Sequence, residues 1–249
     1  MSLSQPPTTR VADTPINHAH APSGARAAVQ LTSVSRLFGR FAALREVTAT
    51  FQSARIYLIL GDNGAGKSTL LRVIAGLIRP SSGQLAIYGE SELHRMATQF
   101  GYMAHAPLLY DEMDAMENLR YVACLYGLKG DAVCRKAIEA VGLDPELKRR
   151  VGNYSQGMRQ RLSLARAMLH DPALLLLDEP FSNVDAVSAR HMVTLLGEMR
   201  DAGKTIFVVT HQPALLEGVA DESVWMSAGR IVGREPGVAL PSISTAVTR

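Results

Sequence analysis

The chain has 249 residues, 47% of them hydrophobic, enough to bury one large core or two small ones. Its formal net charge is a modest +3, and its arginines are scattered along helical patterns, so a nucleic-acid partner is not indicated.

Two cysteines, Cys124 and Cys134, have no paired metal-ligand spacing and make no disulfide framework, which fits a reduced compartment. The longest apolar runs, such as Ala173–Leu177, fall far short of the ~20 residues of a membrane-spanning helix. A soluble chain, able to dock on a membrane protein, is therefore expected.

Residues 1–27 are rich in Pro, Thr, Ser and Ala, lack periodicity and read as a disordered tail without the apolar core of a signal peptide. His18 and His20 lie on it, and two histidines on such a tail make no metal site by themselves. The body, residues 28–235, opens its strand signals with Ile56–Leu60, a buried run followed by a glycine loop. A helix is predicted from Lys67 to about Ile78, with Leu70, Ile74, Leu77 and Ile78 on one face. Residues 80–83 (PSSG) form a turn, and 84–88 a strand. From Ala115 to about His170 the pattern is helical, broken near 127–130 and 151–154, so a helical subdomain of about 105–170 is expected as an insertion. Strand signals return at 174–177 and 205–209, and residues 236–249 read as a loose end. This alternation argues for an α/β fold with a mainly parallel sheet.

The loop Gly61-Asp62-Asn63-Gly64-Ala65-Gly66-Lys67-Ser68 fits G-x-x-x-x-G-K-[ST]. Glycines let backbone amides wrap phosphates closely, and the helix opening near Lys67 aims free N–H groups and its positive dipole end at the same charges. Lys67 would reach the terminal phosphates, and the Ser68 hydroxyl would ligate Mg²⁺. The second site is the apolar run 174–177 ending in Asp178 and Glu179, at the strand edge where α/β sheets bind ligands. Asp178 would hold Mg²⁺ and Glu179 would polarise the attacking water. The third is Tyr154-Ser155-Gln156-Gly157-Met158 followed by a helix, with Ser155 as N-cap. On that helix Met158, Leu162, Ala165 and Leu169 make an apolar stripe while Arg159, Arg161 and Arg166 face elsewhere.

Together with Ser182–Asp185 and Val208–Gln212, these motifs come in the order of an ABC-type ATPase. From about Val29 to Val232 the chain resembles the nucleotide-binding subunits of ABC transporters. The resemblance implies a P-loop NTPase fold of the ABC ATPase type, ATP and Mg²⁺ as cofactors, and a head-to-tail dimer with ATP at its interface. The whole loop Gly61–Ser68, with Thr69, would bind nucleotide. Ser155 and Gly157 would contact the γ-phosphate bound to a second subunit; Gln156 and Met158 depart from the commoner LSGGQ form, but the serine and second glycine remain. Asp185 would lie in the loop crossing the dimer interface, His211 would touch the γ-phosphate, and Phe38 would stack on adenine, with Phe41 nearby. Lys67, Glu179 and His211 form the implied catalytic set. Separate integral-membrane subunits are implied as partners, placing the chain peripherally on the cytoplasmic face of the bacterial inner membrane.

Within the family, residues 104–127 with the DEPFSNVD and THQP segments look most like the ATPase of the haem exporter of cytochrome c maturation. The alternatives are an exporter of drugs, lipids or polysaccharides, or a non-transport ABC ATPase such as an iron–sulfur assembly factor. His105 stands where most relatives hold a glutamine that reaches Mg²⁺ and the attacking water. A neutral imidazole can ligate a metal or accept from water, but its reach is shorter and Mg²⁺ prefers oxygen. His105 is therefore expected to tune coupling, with Pro107–Met116 meeting the membrane partner.

Overall fold

The computed structural model describes residues 26–238. The tail expected over 1–27, with His18 and His20, lies outside the described residues except for Arg26 and Ala27, and so does the loose end from residue 239 onward.

Two sheets carry the fold. The first is antiparallel, ordered β2-β1-β4, from β1 (Ala27–Phe38), β2 (Phe41–Gln52) and β4 (Ser82–Ile87). The second is ordered β5-β6-β7-β3-β8-β9, from β3 (Ile56–Leu60), β5 (Phe100–Met103), β6 (Leu174–Asp178), β7 (Thr205–Val209), β8 (Glu222–Ser227) and β9 (Arg230–Pro236). All its pairs are parallel except β8 with β9. The mainly parallel α/β architecture is thus observed.

Strands β3, β6 and β7 are fully buried, and their residues alternate between two cores. Ile56, Leu58, Leu175, Leu177, Ile206 and Val208 face the core built with the helices between β5 and β8. Tyr57, Ile59, Leu174, Leu176, Phe207 and Val209 face the other, between the two sheets. A sheet covered on both faces needs apolar side chains on both, which is why these strands read as unbroken apolar runs. In the inter-sheet core Phe51, Tyr57 and Phe207 meet with ring centroids 4.9–5.0 Å apart.

Helix α1 (Lys67–Ile74) is shorter than its periodicity suggests. Gly76 takes φ +70°, and its N–H donates to the Val73 carbonyl while that of Leu77 donates to Arg72. A glycine in the left-handed region closes a helix this way, since it has no Cβ to clash. Leu77 leaves the apolar face and is 60% exposed.

The helical stretch resolves into α2 (Ala115–Leu125), α3 (Ala132–Ala140) and α4 (Gln156–Met168), and α5 (Ala186–Asp201) follows β6. Asp114 and Glu117 form a reciprocal capping box that starts α2. Of the expected stripe, Leu162 and Ala165 on α4 and Leu169 just past its end are buried, while Met158 is half-buried against the same core. The arginines reach neighbouring main-chain carbonyls instead: Arg159 to Val151, Arg161 to Gly142 and Arg166 to Tyr102. Among the described residues no helix is long and apolar enough to cross a membrane.

Candidate nucleotide site

Strands β6, β7 and β3 lie side by side, and the segments leaving their carboxyl ends converge. A cavity of about 350 Å³ opens there, and Lys67, Ser68, His105, Asp178, Glu179 and His211 are among the residues that line it.

The loop after β3 depends on glycine at two points. Gly61 has φ +138°, and a Cβ there would stand 2.1 Å from the Met226 carbonyl oxygen. Gly66 has φ +101°, and its Cβ would meet the Ala43 carbonyl oxygen at 2.5 Å. Gly66 also caps α1 without a side-chain hydrogen bond, so no capping side chain claims the first-turn amides, and Lys67, Ser68 and Thr69 of that turn line the cavity. Lys67 is 8% exposed, and its ammonium donates to the carbonyls of Gly61 (2.6 Å) and Asp62 (2.9 Å), which folds the loop around it.

Ser68 Oγ donates to Asp178 Oδ1 at 3.1 Å. Asp178 is 2% exposed, and its Oδ2 is buried with no hydrogen-bond partner. An orphaned carboxylate oxygen beside a serine hydroxyl is a pair of hard oxygen donors, which fits Mg²⁺ completed by water and phosphate oxygens. The described residues hold no cluster of three or more His, Cys, Asp or Glu side chains for a metal, and an Mg²⁺ that takes its remaining ligands from phosphates and water needs none.

Glu179 stands next along the chain in left-handed backbone, φ +57°. Its Oε2 accepts from the His211 amide at 3.2 Å, and Oε1 lies 3.5 Å from His211 Nε2. Burial pushes the Glu179 carboxyl above the usual carboxylate range; the His211 amide and imidazole partly oppose this. His105 lines the same cavity.

Phe41 lines the cavity and Phe38 does not. Phe38 pairs with Phe41 across the β1–β2 turn, and the Arg36 guanidinium covers its ring 4.5 Å from the centroid. Ser155, Gly157 and Asp185 also lie outside the cavity lining. Ser155 caps α4, accepting from Met158 N–H at 3.2 Å. A Cβ on Gly157 would stand 3.0 Å from the Asn183 carbonyl, so the α4 start and the 182–185 loop pack closely. Asp185 caps α5, accepting from Val187 and Ser188, and these amides hold its carboxyl below the usual range.

Two residues in or beside the site carry no motif of their own. Phe41 is ambiguous in sequence because it is the cross-strand partner of Phe38. Gln160 is 4% exposed on α4 and donates to the Glu179 carbonyl at 2.6 Å; a buried amide between arginines gives no periodic signal.

Comparison with known proteins places the chain in a family. The ABC transporter family model matches residues 44–182. The bacitracin transport ATP-binding protein BcrA of Bacillus licheniformis is 32% identical over 212 residues, 84% of this chain and 69% of that protein. A fluoroquinolone export ATP-binding protein of Mycobacterium tuberculosis is 35% identical over 198 residues, 76% of this chain and 64% of that protein. A dimeric ATP-binding cassette in a post-hydrolysis state with ADP and Pi superposes with a TM-score of 0.76 at 23% identity, over 84% of this chain and 98% of that one. The chain belongs to the ABC transporter family, and is one of its ATP-hydrolysing subunits.

Proposed function

We propose that this chain is the motor of an ABC exporter: two copies close head to tail on ATP and hydrolyse it to drive separate membrane subunits, at the cytoplasmic face of the membrane. The observation that carries the reading is the convergence of Lys67, Ser68, Asp178, Glu179 and His211 on one cavity.

In this reading the amides of 63–69 and the Lys67 ammonium hold the β- and γ-phosphates. Ser68 and Asp178 would hold Mg²⁺, which when bound would supply charge neutralisation for the phosphates. Glu179 takes a proton from water as the water oxygen bonds to the γ-phosphorus and the bond to ADP breaks. A carboxyl raised by burial suits that task, because a stronger base accepts the proton more readily. His211, whose backbone aims the Glu179 carboxylate, faces the γ-phosphate. Phe41, which lines the cavity as Phe38 does not, stacks on adenine in this reading. Ser155, Gly157 and Asp185 complete the site of the opposite copy: a capped helix N-terminus lying outside its own cavity supplies anion-binding amides to a neighbour. His105 tunes coupling to the membrane partner, which meets the segment from Pro107 to Met116.

Export of a drug or peptide is the cargo reading supported by the names of the relatives. Haem is a second reading, favoured by the sequence of the 104–127 segment. Covalent haem attachment to c-type cytochromes in a deletion strain separates them: its loss supports haem, and its retention with sensitivity to drugs or peptides supports the first. The motor itself is tested by Glu179→Gln, which should lower ATP turnover about 100-fold or more while ATP still binds. Turnover at the wild-type rate would refute it.

A further inference from the structure

Glu179 occupies a left-handed backbone conformation that a residue with a side chain keeps only where its neighbours hold it. Its main chain is pinned on both sides. The N–H donates to the Val209 carbonyl at 2.8 Å, from the end of β7. The carbonyl accepts from Ser182 N–H at 3.2 Å and from Gln160 Nε2 at 2.6 Å. A carbonyl oxygen only accepts, so the amide nitrogen of Gln160 must face it.

Gln160 belongs to α4, the helix that Ser155 caps, and is 4% exposed. The same helix is bound to the segment after His105: Ser163 Oγ donates to the Pro107 carbonyl at 3.0 Å, and Arg159 pairs with Asp111 at 2.7 Å. An unbroken series of contacts therefore runs from residues 107–111 through α4 to the backbone of Glu179.

We propose that Gln160 is a positioning residue for hydrolysis, tying the aim of the Glu179 carboxylate to the position of α4. The proposal rests on the reading of Glu179 as the base. Held only by Val209, Ser182 and His211, the carboxylate would keep one orientation wherever α4 stands; held also by Gln160, it follows the helix that reaches the partner copy and the 107–111 segment.

The test uses the full chain with Gln160→Met, which keeps length and volume but loses the donor, and Gln160→Glu, which donates only when protonated. Gln160→Met should lose about tenfold or more in kcat, with KM for ATP within about twofold and little change in Tm. For Gln160→Glu, kcat relative to wild type should rise about threefold or more between about pH 8.5 and about pH 6.5, as the carboxyl regains a proton to donate. Wild-type kcat in Gln160→Met, equal loss through KM, or a ratio for Gln160→Glu that is flat with pH would overturn the proposal. Glu179→Gln is measured beside them. Turnover surviving in Glu179→Gln overturns the base reading itself; turnover lost there but intact in Gln160→Met overturns only the positioning role.

Discussion

Ser68 Oγ and Asp178 Oδ1, 110 residues apart in sequence, are hydrogen-bonded at 3.1 Å, and this contact joins the start of α1 to the end of β6. It leaves Asp178 Oδ2 buried and unpaired. If these oxygens hold Mg²⁺, Asp178→Asn should weaken Mg²⁺-dependent ATP binding about tenfold or more, and chelation should bring wild-type turnover to background. Titration of a fluorescent ATP analogue with and without chelator reads the first, and phosphate release by the wild-type chain with and without chelator reads the second.

The pH profile carries the signature of Glu179. A general base works deprotonated, so the rate falls as pH drops through its pKa. Burial raises that pKa, so the acid limb should lie at higher pH than an exposed glutamate would give. A kcat/KM–pH profile of the full chain, which reports groups of the nucleotide-free chain, tests this; an acid limb no higher than that of an ordinary glutamate would contradict the assignment.

Gly61 is held between a positive φ and the Met226 carbonyl. Gly61→Ala should cost about 1–3 kcal/mol of backbone strain, plus displacement of β8, and should abolish nucleotide binding. Thermal unfolding with and without ATP measures both: the variant should melt lower and lose its shift with nucleotide. Gly64, whose added Cβ meets nothing within 4 Å, is the control: Gly64→Ala should lose less stability.

The two phenylalanines of the β1–β2 turn can be told apart by affinity. An aromatic stacked on a base contributes about 1–3 kcal/mol, so Phe41→Ala should weaken ATP binding about tenfold, while Phe38→Ala, whose ring is covered by Arg36, should change it little. Equilibrium binding of ATP to each variant decides, and the reverse order would restore Phe38 to the site.

The residues most legible in the sequence are those whose environment is uniform. Strands β3, β6 and β7 are buried on both faces, so their apolar runs announce them, and the loop at Gly61–Ser68 sits where a strand yields to a helix. The antiparallel pair β1–β2 is not legible. Its register shifts between Leu31 and Val34, and Ser33 and Glu46 take positive φ, so alternation of period two is broken. Strand β5 has only four residues, one of them Gly101, too few to set a period. The end of α1 is misread because Leu77 continues the apolar spacing, whereas Gly76 has already closed the helix. At the site, side chains with motif spacing are found readily, but Gln160 acts through a single contact to a distant backbone carbonyl that no local pattern encodes.

In the proposed dimer ATP joins two copies of this chain, each completing the other's cavity with Ser155 and Gly157. Sedimentation velocity of the full chain carrying Glu179→Gln tests it most directly. With ATP and Mg²⁺ the variant should run as a dimer and with ADP as a monomer, and adding Ser155→Arg should return the ATP sample to monomer. A monomer with ATP, or a dimer indifferent to both nucleotide and Ser155→Arg, would contradict the account.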